Sequence, residues 1–378
     1  MMTDLLIVQP MFTAVGHPAQ SLVNTARVLG RRHDTRYLIS CGQRQQELAP
    51  LVAQLESLGP VWQFKVPANS SLALGTLLSM WTVVSIARRH PSQFSLFFLD
   101  AHLPVLALLW PLVRGMLPNL RRISVLALSG PENWARRWWI RRLLSTFLLS
   151  PKVCLFLRTE ELATSWRAEY PIRAMPIDTL PSLEIPDEDD AAPPAVPSVQ
   201  LRFGVIGQVR PGKGIEWLVP LFTEHPGIGE LEVVGTYYDD HGRKRLPMLE
   251  GSRYFRNHFI APGELVRLAG SFDYVLTLYD KWDPRLEAAT FYLAARAQRP
   301  VICYDAGWCG RMIRQFGCGV AVDPSRKLPA SFFCSLPGRD SSAYKAMTEG
   351  MNHFRVEHSG SVRRAEFLRK IIGQRTDA

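Results

Sequence analysis

No two of the six cysteines in this 378-residue chain stand at C-x-x-C spacing, so neither a zinc site nor a disulfide framework is indicated. Cys41, Cys154, Cys303, Cys309, Cys318 and Cys334 read as the reduced thiols of a cytoplasmic protein. A signal-peptide form is lacking too: Thr3 and Asp4 lead directly into Leu5, Leu6, Ile7 and Val8, without a basic region and long apolar core. Acidic charge is in short supply. Lys and Arg number 44 against 34 Asp and Glu, a formal net charge of +10, which suits a phosphorylated substrate, an anionic membrane face or a nucleic acid. No RRM, KH or zinc-finger signature supports the nucleic acid. Pro67 to Ala87 carries no charge, but Asn69, Ser70, Ser71, Gly75, Thr76, Ser79, Thr82 and Ser85 make it too polar for a membrane span, and a buried helix is expected.

What is present is an alternation of short apolar strands and helical stretches, the rhythm of an α/β protein, in a chain long enough for two domains. Leu201 to Pro220, LRFGVIGQVRPGKGIEWLVP, reads as a buried strand, a glycine-rich turn and a helix start. Phe203, Val205 and Ile206 suit an inner parallel strand, while Ile215, Leu218, Val219 and Phe222 recur at helical spacing. Gly207, Gly212 and Gly214 lie between, with Arg210 and Lys213. Glycines admit a ligand close to backbone N–H groups, the helix start adds partial positive charge and the two cations add full charges, so a phosphate or diphosphate fits. Two nucleotide motifs are excluded. Gly214 stands where a nucleoside-triphosphate loop needs Ser or Thr, and GxGxxG spacing is absent.

The first half opens with a strand, Leu5 to Gln9, and a loop carrying Gly16 and His17. His17 sits at a strand's carboxyl end, where open α/β sheets bind ligands, and is a candidate base or acceptor ligand as well as a plain loop residue. Phe94 to Leu99 ends likewise in Asp100 and His102. Glu132 follows the strand Ile123 to Leu128 as a candidate catalytic base or a helix-start carboxylate. Next comes a basic, aromatic stretch in which Trp134, Trp138 and Trp139 alternate with Arg136, Arg137, Arg141 and Arg142. Tryptophan at headgroup depth and arginine on anionic lipid suit a membrane interface, the alternative being a packed helix with a solvated arginine face. Residues 181–200, acidic and proline-rich, read as an interdomain linker. The boundaries expected are therefore a first domain over 1–180, a second over 201–350 and a terminal helical segment over 351–378.

In the second half, Tyr279 to Val322 contains R-P-V-I-x-x-x-x-G-W-x-G followed by G-x-G-x-x-V. With Lys213 in its G-x-x-x-x-x-K-G loop, this resembles the donor side of glycosyltransferase family 4 and related exopolysaccharide-biosynthesis transferases. The resemblance implies the GT-B fold, two Rossmann-like domains facing each other across a cleft, the first taking the acceptor and meeting the membrane and the second taking the donor, with the last helix crossing back to the first. It implies a hexosyltransferase that moves sugar from a nucleotide-diphosphate sugar to a lipid-linked or polysaccharide acceptor at the inner membrane face, retaining more than inverting, with no obligatory metal. Lys213 and Arg210 would stabilise the departing diphosphate with the amides at Gly207, Gly212 and Gly214. Tyr279, Asp283, Glu287, Thr290 and Gly307 would lie on the donor side. The usual carboxylate pair is replaced: aligned on Pro300, its positions hold Arg285 and Leu293, with Asp280, Asp283 and Glu287 nearby. That leaves two other readings, an inactive GT-B scaffold or binding protein and a sugar-nucleotide epimerase.

Overall fold

A computed structural model describes residues 4–12, 18–32, 34–41, 45–67, 70–89, 92–135, 137–170, 177–187, 200–237, 246–257, 260, 262–280 and 283–372. The chain divides into two compact units, Met1–Pro186 with Arg363–Ala378, and Asp187–Val362.

Unit 1 begins with β1 (Asp4–Gln9), α1 (Pro18–Leu29), β2 (Thr35–Cys41), α2 (Gln45–Leu58), β3 (Val61–Lys65) and α3 (Leu72–Ala87). It continues with β4 (Phe94–Phe98), α4 (Leu103–Met116), β5 (Leu120–Ala127), the single turn α5 (Glu132–Ala135) and α6 (Trp138–Leu148). β6 (Val153–Leu157), α7 (Glu160–Glu169) and β7 (Ile177–Thr179) follow. The seven strands make a parallel sheet in the order β3-β2-β1-β4-β5-β6-β7. Its inner strands are continuous apolar runs because helices cover both faces. β4 and β6 are buried at every position. The helices start where side chains satisfy free amides: the hydroxyls of Ser71 and Thr159 accept from the backbone N–H groups of Leu74 and Leu162.

The strand order runs outward in both directions from β1 and β4, so right-handed crossovers put the two helix series on opposite faces. On one face α1 and α2 build a core around Leu22, Val23, Leu51 and Leu55. On the other, α4 packs between α3 and α6. The uncharged stretch from Pro67 thus becomes α3, which buries Met80, Val83 and Val84 but exposes Leu77 and Trp81. Among the described residues no helix is long and apolar enough to cross a membrane. The segment Pro181 to Pro186 is built into unit 1, with Leu183 and Ile185 buried. Its Glu184 carboxylate, also buried, accepts from Ser21 Oγ at 2.8 Å and Asn24 Nδ2 at 3.1 Å. A carboxylate with two donors can be buried where an unpaired one could not, so an acidic, proline-rich composition here conceals packed structure. Residues 188–199 of the same stretch lie outside the described residues.

Unit 2 contains β8 (Arg202–Ile206), α8 (Ile215–Glu224), β9 (Glu230–Gly235), β10 (Phe255–Asn257), α9 (Pro262–Gly270) and β11 (Tyr274–Thr277). Then come α10 (Ala289–Arg296), β12 (Val301–Tyr304), α11 (Gly307–Phe316), β13 (Gly319–Val322), α12 (Ala330–Cys334) and α13 (Ser342–Glu357). Its parallel sheet has the order β10-β9-β8-β11-β12-β13. Phe203 of β8 centres the core, its ring 5.5 Å from Phe222 and 5.3 Å from Phe333. Asp273, buried beside β11, accepts from the Arg202 amide at 2.7 Å and pairs with Arg339.

The last helix, α14 (Gly360–Ile372), belongs to unit 1 from Arg363 onward. Phe367 meets Phe97 edge-on at 5.7 Å, Lys370 Nζ donates to the Thr179 carbonyl at 2.6 Å, and Arg364 donates to the Leu29 carbonyl at 2.7 Å.

Candidate functional site

The order of the second sheet locates the site. From β8 the chain steps to β9 on one side and later to β11 on the other, and ligands of open α/β sheets bind beyond the carboxyl ends of strands where that direction reverses. The loop from Gly207 to Gly214 leaves β8 there, and the segment from Leu278 to Ala288 leaves β11. The first loop turns through Gly207 and Gly212, with φ of 98° and 83°, and closes on Gly214, which caps α8 at φ 75°. Glycine is required at 214. A Cβ there would lie 2.4 Å from the Leu278 carbonyl oxygen, a backbone contact that cannot give way. The Gly212 amide is held by Glu216, which accepts from it at 2.6 Å.

Lys213 is 9% exposed, and its Nζ lies 5.3 Å from the centroid of the Tyr279 ring. Burial, with the nearby Arg210 charge, lowers its ammonium pKa to about 7. Tyr279 donates to Thr290 Oγ1 at 3.0 Å, and burial pushes its phenol up to about 12, so it stays protonated. The structure therefore gathers Arg210 and Lys213 from the loop after β8, Tyr279 from the segment after β11 and Thr290 from the first turn of α10. Burial of an ammonium without a paired anion disfavours its charged form, and the α8 amino terminus adds a positive dipole end to the same place, so the arrangement is suited to an anion.

The remaining residues expected on the donor side divide. Asp283 is committed locally: Arg285 donates to its carboxylate from the backbone N at 3.0 Å, Nε at 2.9 Å and Nη2 at 2.7 Å, holding the carboxyl below its usual range. This turn occupies the residues before α10, which begins at Ala289. Gly307 opens α11 at φ 56°, where a Cβ would meet the Pro284 carbonyl oxygen at 1.9 Å. The Trp308 amide donates to that same oxygen at 2.8 Å, so Gly307 fastens the Asp283 turn to α11. Glu287 is half-buried and acts on Cys309, whose thiol is raised to about 12 first by burial and then by the Glu287 charge. Nothing in the sequence pattern marks Cys309 as a site residue, nor Tyr304, whose phenol donates to Asp280 Oδ1 at 2.7 Å.

Unit 1 has its own point of reversal, between β1 and β4. His17 lies outside the described residues. Glu132 sits on the exposed turn α5, its carboxylate folded over Gly130. Asp100, just beyond β4, is the more perturbed carboxyl: burial raises it to about 7. Next to it His102 caps α4, its backbone N–H donating to Thr76 Oγ1 at 3.0 Å and its ring edge-on to Trp134 at 4.7 Å. Burial lowers the His102 pKa, and His102 Nδ1 and Trp134 Nε1 are buried without a partner among the described residues. Trp134 is thus turned onto His102, and Arg141 is paired with Glu169 Oε1 at 3.2 Å. Trp138, Trp139, Arg137 and Arg142 are exposed, and Arg136 lies outside the described residues. Among the described residues no group of three His, Cys, Asp or Glu side chains is placed to hold a metal ion.

No protein-family model and no curated protein matches the sequence. Solved structures do match at full length. Anabaena HepE in complex with UDP and glucose aligns at TM-score 0.70 and 12% identity over 99% of this chain and 100% of its own. A glycosyltransferase from Rickettsia africae ESF-5 aligns at 0.65 and 12% over 99% of each chain. WaaG, a glycosyltransferase involved in lipopolysaccharide biosynthesis, aligns at 0.63 and 13% over 98% of this chain and 100% of its own. At such identities the likeness speaks for architecture, and with two parallel α/β units spanning these neighbours end to end the chain has the GT-B fold.

Proposed function

We propose that this chain is a glycosyltransferase that moves a hexose from a nucleotide-diphosphate sugar to a lipid-linked or polysaccharide acceptor in the synthesis of exopolysaccharide or another cell-surface glycan. The observation that carries the reading is Lys213, buried over Tyr279 beside Arg210 at the start of α8. The UDP and glucose bound to HepE support a nucleotide sugar as donor. Unit 2 is the donor unit. There Lys213, Arg210 and the α8 amides stabilise the charge that grows on the diphosphate as the sugar–oxygen bond breaks. Thr290 and Glu287 contact the donor, and the Asp283–Arg285 turn shapes the wall beside them.

Unit 1 is the acceptor unit. As the acceptor oxygen bonds to the anomeric carbon, its proton goes either to Asp100, poised near neutrality, or to the departing phosphate. The first route gives inversion and the second retention. His102 and Trp134 offer buried, unpartnered nitrogen atoms to acceptor hydroxyls. In this reading the protein is peripheral to the cytoplasmic membrane face, held through the α6 side of unit 1. Arg285 and Leu293, standing where a carboxylate pair is usual, favour a second reading, a binding scaffold without turnover.

Calorimetry with a panel of sugar nucleotides separates the two. The transferase reading expects micromolar binding of one donor, weakened about 10- to 100-fold in Lys213→Ala by loss of a charge-assisted contact, and turnover with a glycan acceptor. Binding without turnover on any acceptor favours the scaffold. A folded protein that binds no donor overturns the donor site.

A further inference from the structure

Among the described residues the large apolar side chains left exposed belong to unit 1 apart from Val356 and Val362. They concentrate on three adjacent helices. Trp81 of α3 is 69% exposed, Leu108 and Leu112 of α4 are 68% and 58%, and Trp138 of α6 is 74%. Each helix buries its opposite side in the unit, and α4 lies between the other two. Large apolar side chains exposed together on adjacent helices of a folded protein mark a place of contact.

The charges say what touches it. None of the three helices contains an Asp or Glu residue. Arg114 on α4, Arg137 at the cap of α6 and Arg142 on α6 are exposed and have no carboxylate partner among the described residues. Tryptophan and leucine flanked by unpaired arginine match the boundary between acyl chains and anionic headgroups. A second copy of the chain matches poorly, because a two-fold interface places the same patch against itself and this patch would oppose arginine to arginine with no carboxylate between them. We infer that the outward face of α3, α4 and α6 together, rather than α6 alone, is a docking surface for an anionic phospholipid bilayer. The inference rests on the reading that unit 1 meets a membrane, and it extends that contact from α6 to α3 and α4.

The test is flotation with vesicles of phosphatidylcholine alone and of phosphatidylcholine mixed with phosphatidylglycerol. Three proteins are compared: the intact chain, a triple variant Trp81→Ser, Leu108→Ser, Leu112→Ser, and a pair variant Trp138→Ser, Trp139→Ser. All these positions are exposed, so folding and sugar-nucleotide binding are expected to be unchanged in each. The intact chain is expected to float with the anionic vesicles and to be released by salt, and both variants to lose about tenfold or more in partitioning. Loss in the pair but not in the triple variant would overturn the three-helix face while leaving membrane attachment intact. No flotation of the intact chain would overturn both. Self-association in sedimentation velocity that the triple variant abolishes would assign the face to a second copy and overturn the inference as well. Donor binding is measured separately in the same samples, so failure of the transferase reading appears there and not in the flotation.

Discussion

The two points of strand reversal make a comparison within one molecule. Beyond β8 and β11 the chain presents Lys213 and Arg210 beside a protonated phenol. Beyond β1 and β4 it presents a carboxyl raised to about 7 and a histidine whose pKa is lowered. The backbone solution is the same, a parallel sheet whose direction of growth reverses, and yet one end attracts an anion while the other is suited to accept a proton. Burial does the tuning in both: it weakens the lysine as a cation and the aspartate as an anion until each titrates near neutrality. Topology sets where a ligand goes, and a few side chains set what it is.

Three experiments press on this contrast. The largest effect is expected from Asp100→Asn, which should lower kcat by about 100- to 10,000-fold if Asp100 takes the acceptor proton, with donor affinity unchanged because the proposed donor site lies in unit 2. An unchanged kcat would assign the proton to the leaving phosphate and make the transfer retaining. The next concerns pH. Free Lys213 has its pKa lowered to about 7, and a bound diphosphate raises it, so binding above that pH requires proton uptake. Donor affinity should therefore be level below about pH 6 and fall by up to about tenfold per unit above pH 7, whereas the Asp100 carboxylate, raised to about 7 by burial, is gained over the same rise. Calorimetry in buffers of different ionisation enthalpy at pH 8 would register the proton, and Lys213→Ala would abolish it. Smallest is Tyr279→Phe, which keeps the ring under Lys213 and loses the bond to Thr290. Donor affinity should change by about threefold or less.

Much of this architecture is legible in the sequence because inner parallel strands are written as apolar runs and phosphate loops as glycine with cations. The strand, loop and helix from Leu201 to Pro220 appear where their pattern places them. Other elements leave weaker marks. β3 is a half-exposed edge strand, β7 has only three residues, and α13 hides its buried Tyr344, Met347, Met351 and Phe354 among polar neighbours. The site was legible one residue at a time but not as a constellation. Asp100 and His102 stand out by their place at a strand end, but only burial shows that the first has a shifted carboxyl. Asp283 looks like a spare carboxylate until Arg285 is seen to hold it. The pairing of Lys213 with Tyr279 depends on β8 and β11 being neighbours in the sheet, which neither loop encodes.

The return of α14 has a consequence for the order of assembly. Unit 2 is one continuous stretch of chain, while unit 1 receives Phe367 and Ile371 into its core only from residues synthesised after all of unit 2. During translation, then, the amino-terminal unit must wait with the apolar side of α1 and α2 incompletely covered, although domains ordinarily fold as they emerge. The segment made last closes the unit made first, and a ribosome that stops before Arg363 releases a chain whose second unit can be whole while its first is not.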